Sequence, residues 1–174
     1  MLMGISGFEP DFLVGIGAVR ERHGRRLAAL RGRRLTGYAL VRFAEDGTWY
    51  ADCPVVLDFE GVQVEVCHSK LDELSIGWDR IDVTAAIVGW EWFELTPEWS
   101  GADERLERFV GGELRDVALL EWRYPGGDLA DGTVAVEFSF DAGSFLVFNA
   151  LDENGIEVGL ADHHRHYVRH RLGA

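Results

Sequence analysis

Lysine is almost missing from this chain. Lys70 is the only one among 17 cations, the rest being arginine, and 30 acidic residues bring the formal net charge to −13. Repulsion from phosphate excludes non-specific nucleic-acid binding, and the lack of a polybasic segment excludes electrostatic attachment to an anionic membrane. No apolar run is long enough to span a bilayer; residues 12–19 come nearest and fall far short. Residues 1–11 carry no basic leader region, so a cytoplasmic location is the expectation. Cysteine is scarce too. Cys53 and Cys67 make no disulfide framework, and strand alternation puts them on opposite faces. A P-loop and a nucleophile elbow are absent, and the glycines of Gly4-Ile5-Ser6-Gly7 and Gly15-Ile16-Gly17 lack the strand–loop–helix setting of a dinucleotide site. No cofactor is expected.

What the chain does hold is an ordinary globular composition, 47% apolar and 27% charged over 174 residues. That suits a single domain burying roughly 70% of its unfolded surface. Within it a pattern recurs at an offset of 79 residues. Leu27, Leu30, Gly32 and Leu35 meet Leu106, Phe109, Gly111 and Leu114; Phe43 meets Trp122; Val55, Leu57 and Phe59 meet Val134, Val136 and Phe138. One inserted residue later, Leu71-Asp72-Glu73 meets Leu151-Asp152-Glu153. The order and near-constant spacing predict an internal duplication, with repeats at 27–83 and 106–160.

Each copy reads as a helical turn (27–30 or 104–110) stopped by Gly32 or Gly111, then a strand (35–43 or 114–122), a polar loop and a hairpin. Ser100 is the expected cap of the second helical turn, with Asp103 three residues on. In the first hairpin a two-residue turn at Glu60-Gly61 sets Phe59 opposite Val62, Leu57 opposite Val64, Val55 opposite Val66 and Cys53 opposite His68. The second hairpin turns at 141–144 and returns over 145–149. Further strands are expected at 75–78, 85–94 and 157–160. Residues 1–26 lie outside the repeat; 12–22 would add a strand or a helix, and Gly15 and Gly17 disfavour the helix. The predicted fold class is therefore mostly β (α+β): two helix–strand–hairpin repeats packed as a pseudo-twofold sandwich or partly closed barrel.

Four groups of residues qualify as candidate sites. His164, His166 and His170 share a face on a strand, and His163, His166 and His170 on a helix. Either set suits Zn²⁺ or Ni²⁺, although the spacing matches no known motif and Arg165, Arg169 and Arg171 oppose a cation; an exposed terminal strand is the simpler reading. Cys53 opposite His68 would activate a thiolate only in a cleft with an orienting acid; a buried core cysteine is the simpler reading. The pairs Asp72, Glu73 and Asp152, Glu153 would act as acid and base or hold a hard cation if they converged, but suit turns first, the second strengthened by Asn154-Gly155. Trp90, Trp92 and Trp99 stand amid carboxylates. At strand spacing Trp90 and Trp92 point one way, either into the core or toward a sugar or protein partner. Acidity without a catalytic constellation favours a non-enzymatic binding or regulatory module with a basic protein partner, as immunity proteins and antitoxins are by analogy. A metal-dependent enzyme or small-molecule binder is the alternative, and a homo-oligomer paired through strand edges or the tryptophan segment is a third option.

Overall fold

The computed structural model describes residues 2–159 and 165–173. The chain runs β1 (Leu13–Val14), α1 (Ile16–Ala28), β2 (Leu35–Phe43), β3 (Val55–Phe59), β4 (Val62–Ser69), β5 (Glu73–Trp78), a one-turn 3-10 helix (Glu91–Phe93), β6 (Pro97–Ser100), α2 (Glu104–Glu107), β7 (Leu114–Trp122), β8 (Val134–Phe140), β9 (Gly143–Asn149), β10 (Asn154–Val158) and β11 (Tyr167–Arg171). Two antiparallel sheets result. The first is ordered β1-β5-β4-β3-β2-β6 and the second β10-β9-β8-β7-β11. No helix among the described residues is long and apolar enough to cross a membrane.

Alternation along β3 and β4 explains the first hairpin. Val55 pairs with Val66, Leu57 with Val64 and Phe59 with Val62, in the register the Glu60-Gly61 turn predicts. Five of these six apolar side chains share one buried cluster with Val134, Val136, Phe138, Phe145 and Val147 of the second sheet, and the half-buried Val62 packs against it. Face-to-face packing of the sheets therefore buries the apolar side of each. At its centre the Phe59 and Phe138 rings stack at 5.7 Å, and Phe138 stacks on Phe145 at 5.2 Å.

The sheets are also joined through main chain at the starts of β2 and β7. Gly32 N donates to Leu114 O (2.8 Å) and Gly111 N to Leu35 O (2.7 Å); Leu35 N donates to Gly112 O (3.0 Å) and Leu114 N to Arg33 O (2.8 Å). Gly32 and Gly111 reach this geometry at φ 85° and 84°, a conformation that a Cβ opposes. Both strands then carry an irregularity at the same place, between Leu35 and Gly37 and between Leu114 and Asp116.

Several expected elements differ. A helix does form despite Gly17 and Gly24: α1 has 13 residues and buries Val19, His23, Gly24, Leu27 and Ala28 along one stripe. That apolar stripe outweighs the cost of its glycines, roughly 1 kcal/mol each. Residues 27–30 are consequently its C-terminus rather than a separate turn. In α2 the cap is Asp103, whose carboxylate accepts from Arg105 N, because Ser100 is held in β6. The second hairpin is tighter than expected, with Phe140 paired to Gly143. β10 begins at Asn154 instead of 157, and the turn before it occupies 150–153 with Leu151 and Asp152 at positive φ. Residues 85–94 form no strand.

His23 on α1 supplies a pH test. Its Nδ1 accepts from Trp78 Nε1 at 3.3 Å, so its proton sits on Nε2, which is buried without a partner. Burial first, then the Arg22 charge, lowers its pKa from 6.5 to about 4; Asp11 opposes this and Arg26 reinforces it. Protonation is thus easier in the unfolded chain. Stability should be complete above pH 6.5 and fall as pH drops toward 4, by on the order of 2 kcal/mol from this group. Urea titrations across that window should show a smaller loss for His23→Gln, and an identical loss would remove His23 as the cause.

Candidate functional site

The outer face of the first sheet carries a second apolar cluster that includes Ile5, Phe8, Val41, Cys53, Val56, Cys67 and Ile81. The segment following β5 is fastened over this face. Glu65, 2% exposed, accepts from Arg80 N (2.8 Å) and Ile81 N (3.0 Å) through Oε1. Gly77 makes room for that carboxylate, since a Cβ there would lie 2.0 Å from Oε2. Farther on, Val88 N donates to Gly4 O at 3.2 Å. Gly4 tolerates this approach only because it lacks a side chain: a Cβ would meet Val88 O at 1.8 Å.

From this anchor the chain rises into a knuckle. Trp90 is half-buried, its Nε1 donating to Met3 O (3.1 Å), with its ring edge-on to Tyr50 at 5.1 Å and Phe43 at 6.0 Å. The 3-10 turn Glu91–Phe93 follows and ends at Glu94, φ 53°. Thr96 N then donates to Glu45 Oε2 (3.1 Å) and Ala44 N to Thr96 O (2.9 Å), which leads the chain into β6 beside β2. Hydrogen bonds from Thr96 hold the Glu45 carboxyl below its usual pKa. Between these two attachments Trp92 is 92% and Phe93 65% exposed, with Val88 and Leu95 exposed beside them. A cleft of about 350 Å³ opens at the base of the knuckle, lined by Ile87, Trp90, Glu91, Glu94, Leu95 and Pro97.

The expected common orientation of Trp90 and Trp92 is therefore corrected. The 3-10 turn replaces the strand, sending Trp90 inward and Trp92 out. Trp99 sits apart on β6, paired with Val41 and packed on the outer cluster. Val88 and Leu95 join the site unforeseen. A signal for them exists: between Arg80 and Arg105 the chain carries six carboxylates and no cation, with apolar residues that follow no strand alternation.

The other candidates separate. Cys53 and His68 do not meet. Pro54 interrupts the ladder, which starts at Val55, so Cys53 joins the outer cluster, its Sγ 3.8 Å from Met3 Sδ. Cys67 lies in that same cluster, contrary to the expected opposite faces, and both thiols are free and buried. Burial raises both pKa values, that of Cys67 to about 12, which is the reverse of nucleophile activation.

His68 is enclosed between the sheets. Its Nε2 lies 2.9 Å from Val134 O and its Nδ1 3.1 Å from Asn154 Oδ1. Burial lowers its pKa, while these two contacts oppose the shift. Asn154, 1% exposed, further accepts from His68 N (2.8 Å) and donates to Ala51 O (2.9 Å) and Cys53 O (2.8 Å). Its side chain is a joint between the sheets, so Asn154-Gly155 opens a strand where a turn was expected.

Asp72, Asp152 and Glu153 lie exposed in the turns after β4 and β9, and Glu73 opens β5, paired with Lys70 at 3.2 Å. The two turns are neighbours, because Asn149 Nδ2 donates to Lys70 O. Of the histidines, His163 and His164 lie outside the described residues. His166 packs against Tyr124 and Trp122 (4.9 and 5.3 Å), while His170 Nε2 is 3.0 Å from Glu121 Oε2. Among the described residues no three His, Cys, Asp or Glu side chains group as a metal site.

Compared with protein-family models, with curated proteins and with solved structures, the chain matches none.

Proposed function

We propose that this chain is a non-enzymatic protein-binding module that docks a basic protein partner through the Trp92–Phe93 knuckle. The observation that carries the reading is an indole 92% exposed on a turn fastened at both ends. Burying a tryptophan side chain recovers about 4 kcal/mol at 25 cal/mol per Å². An exposed indole on a tethered turn forgoes this in the free protein, and a partner pocket would regain it with little ordering cost. Carboxylates at the rim and a net charge of −13 favour a basic partner by steering its approach. Buried, unpaired thiols suit the reducing cytoplasm. Immunity proteins and antitoxins are parallels of charge and size alone.

The same proposal includes an internally duplicated scaffold, a pseudo-twofold sandwich of repeats 27–83 and 106–160. Its support is the offset of 79 that β2 and β7 share, together with the reciprocal bonds of Gly32 and Gly111. In this view the knuckle arises in the connection between the copies, which is free of the scaffold's constraints.

The test uses the full chain as bait in lysate of its producing organism, beside Trp92→Ser/Phe93→Ser. Both positions are exposed, so the variant should keep its stability within about 0.5 kcal/mol. The expected result is one basic protein that co-purifies stoichiometrically with the native chain at low and moderate salt, recovered at least about tenfold less by the variant. Equal capture of that protein by both, or self-association in place of a partner, would sink the reading.

A further inference from the structure

Trp92 and Phe93 give the knuckle an apolar tip, but the cleft at its base has a different chemistry. One wall is Trp90, fixed by its bond to Met3 O and by the edges of Tyr50 and Phe43. Ile87, Leu95 and Pro97 extend the apolar lining, and Glu91 and Glu94 supply its charge. Among the described residues neither carboxylate has an ion-pair partner; the one hydrogen bond to Glu91 comes from Gly89 N at 3.4 Å. Arg42, opposite Glu98 in the β2–β6 ladder, is committed to Asp103 at 2.9 Å and to Gly47 O at 2.8 Å. A fixed indole wall with two uncommitted carboxylates is the complement of a cation that is also planar.

We propose that this cleft receives an arginine side chain of the basic partner, its guanidinium against Trp90 and hydrogen-bonded to Glu91 or Glu94. This rests on the binding-module reading and names the partner residue at its site. Arginine fits better than lysine for three reasons. Its planar group stacks on an indole, its fork bonds a carboxylate through two parallel N–H groups, and its weaker hydration makes entry to a part-apolar cleft less costly. Phe93, its ring 5.6 Å from that of Trp90, would then exclude water around the ion pair and strengthen it.

The test titrates the ¹⁵N-labelled full chain with a short arginine–glycine peptide, with the same peptide carrying citrulline, a neutral isostere, and with its lysine form. Saturable shifts should concentrate at the Trp90 indole and the Glu91 and Glu94 amides. Binding should weaken at least about tenfold with citrulline and with Glu91→Gln/Glu94→Gln, and severalfold with lysine. Shifts spread equally over other acidic sites such as Asp152 and Glu153, or unchanged affinity in the glutamine variant, would overturn the proposal. Partner capture separates the two failures. If Trp92→Ser/Phe93→Ser loses the partner while Glu91→Gln/Glu94→Gln keeps it, the arginine site falls and the knuckle stands. If neither variant changes capture, both fall.

Discussion

Replacing Asn154 by alanine should lower stability by about 3–4 kcal/mol and the melting temperature by roughly 10 °C. The expectation follows from what loses its partner. Cys53 O loses its donor, His68 N its acceptor and His68 Nδ1 its neighbour, all in the interior between the sheets. Ala51 O keeps the main-chain bond from Asn154 N, 3.0 Å, so it adds little. Three groups left unsatisfied at about 1–3 kcal/mol each, partly relieved by relaxation, give the stated range. Asn149→Ala is the control, since its bonds to Lys70 O and Asp152 N lie at the exposed turns and should matter by less than about 1 kcal/mol. Urea unfolding of the two variants checks both. A loss below about 1 kcal/mol for Asn154→Ala would show that the sheets do not depend on this joint.

Phe138→Ala should be at least as damaging, at about 4 kcal/mol. Phe138 is fully buried and lies between Phe59 of the opposite sheet and Phe145 of its own. Truncation removes the transfer energy of a whole ring and leaves a cavity that two sheets, each braced by main-chain ladders, cannot close. A double-mutant cycle with Phe59→Ala sharpens the result. The rings contact each other, so their effects should fall short of additivity by about 1 kcal/mol. Additive losses would mean that the rings act separately and that the inter-sheet contact is incidental.

These two residues also mark how much was legible in the sequence. Phe59 and Phe138 were readable because alternation has a period of two and the Glu60-Gly61 turn leaves one register that keeps Val55, Leu57 and Phe59 on a single face. The strands at 35–43 and 114–122 were readable for a related reason, with glycines that mark where each begins. Asn154 was misread because Asn-Gly is a strong turn signal, and only the tertiary fold shows that its amide serves two other chain segments, one at Ala51 and Cys53 and one at His68. α1 stays open between strand and helix in the sequence because glycine propensity is local, whereas the stripe through Val19, His23 and Leu27 has value only against a sheet. Cys53 was placed wrongly because alternation was carried through Pro54, which ends the ladder.

The knuckle eluded the sequence for a different reason. Trp90 and Trp92 stand two apart, which satisfies a strand, but no neighbouring strand accepts residues 85–94 and Gly89 turns the chain at φ 90°. What distinguishes the segment is the company it keeps: carboxylates, exposed apolar residues and no cation from Arg80 to Arg105.

The four main-chain bonds between the starts of β2 and β7 carry a consequence for how this protein tolerates change. Amide and carbonyl groups make that seam, so it asks for a particular residue only at Gly32 and Gly111. Almost any drift in side chains leaves it standing, and the outer faces of the two sheets can diverge without separating them. One outer face now carries the N-terminal segment and an aromatic knuckle, whereas on the other Arg169 bridges Asp116 and Glu137. A seam written in backbone lets two sheets take on unlike surfaces.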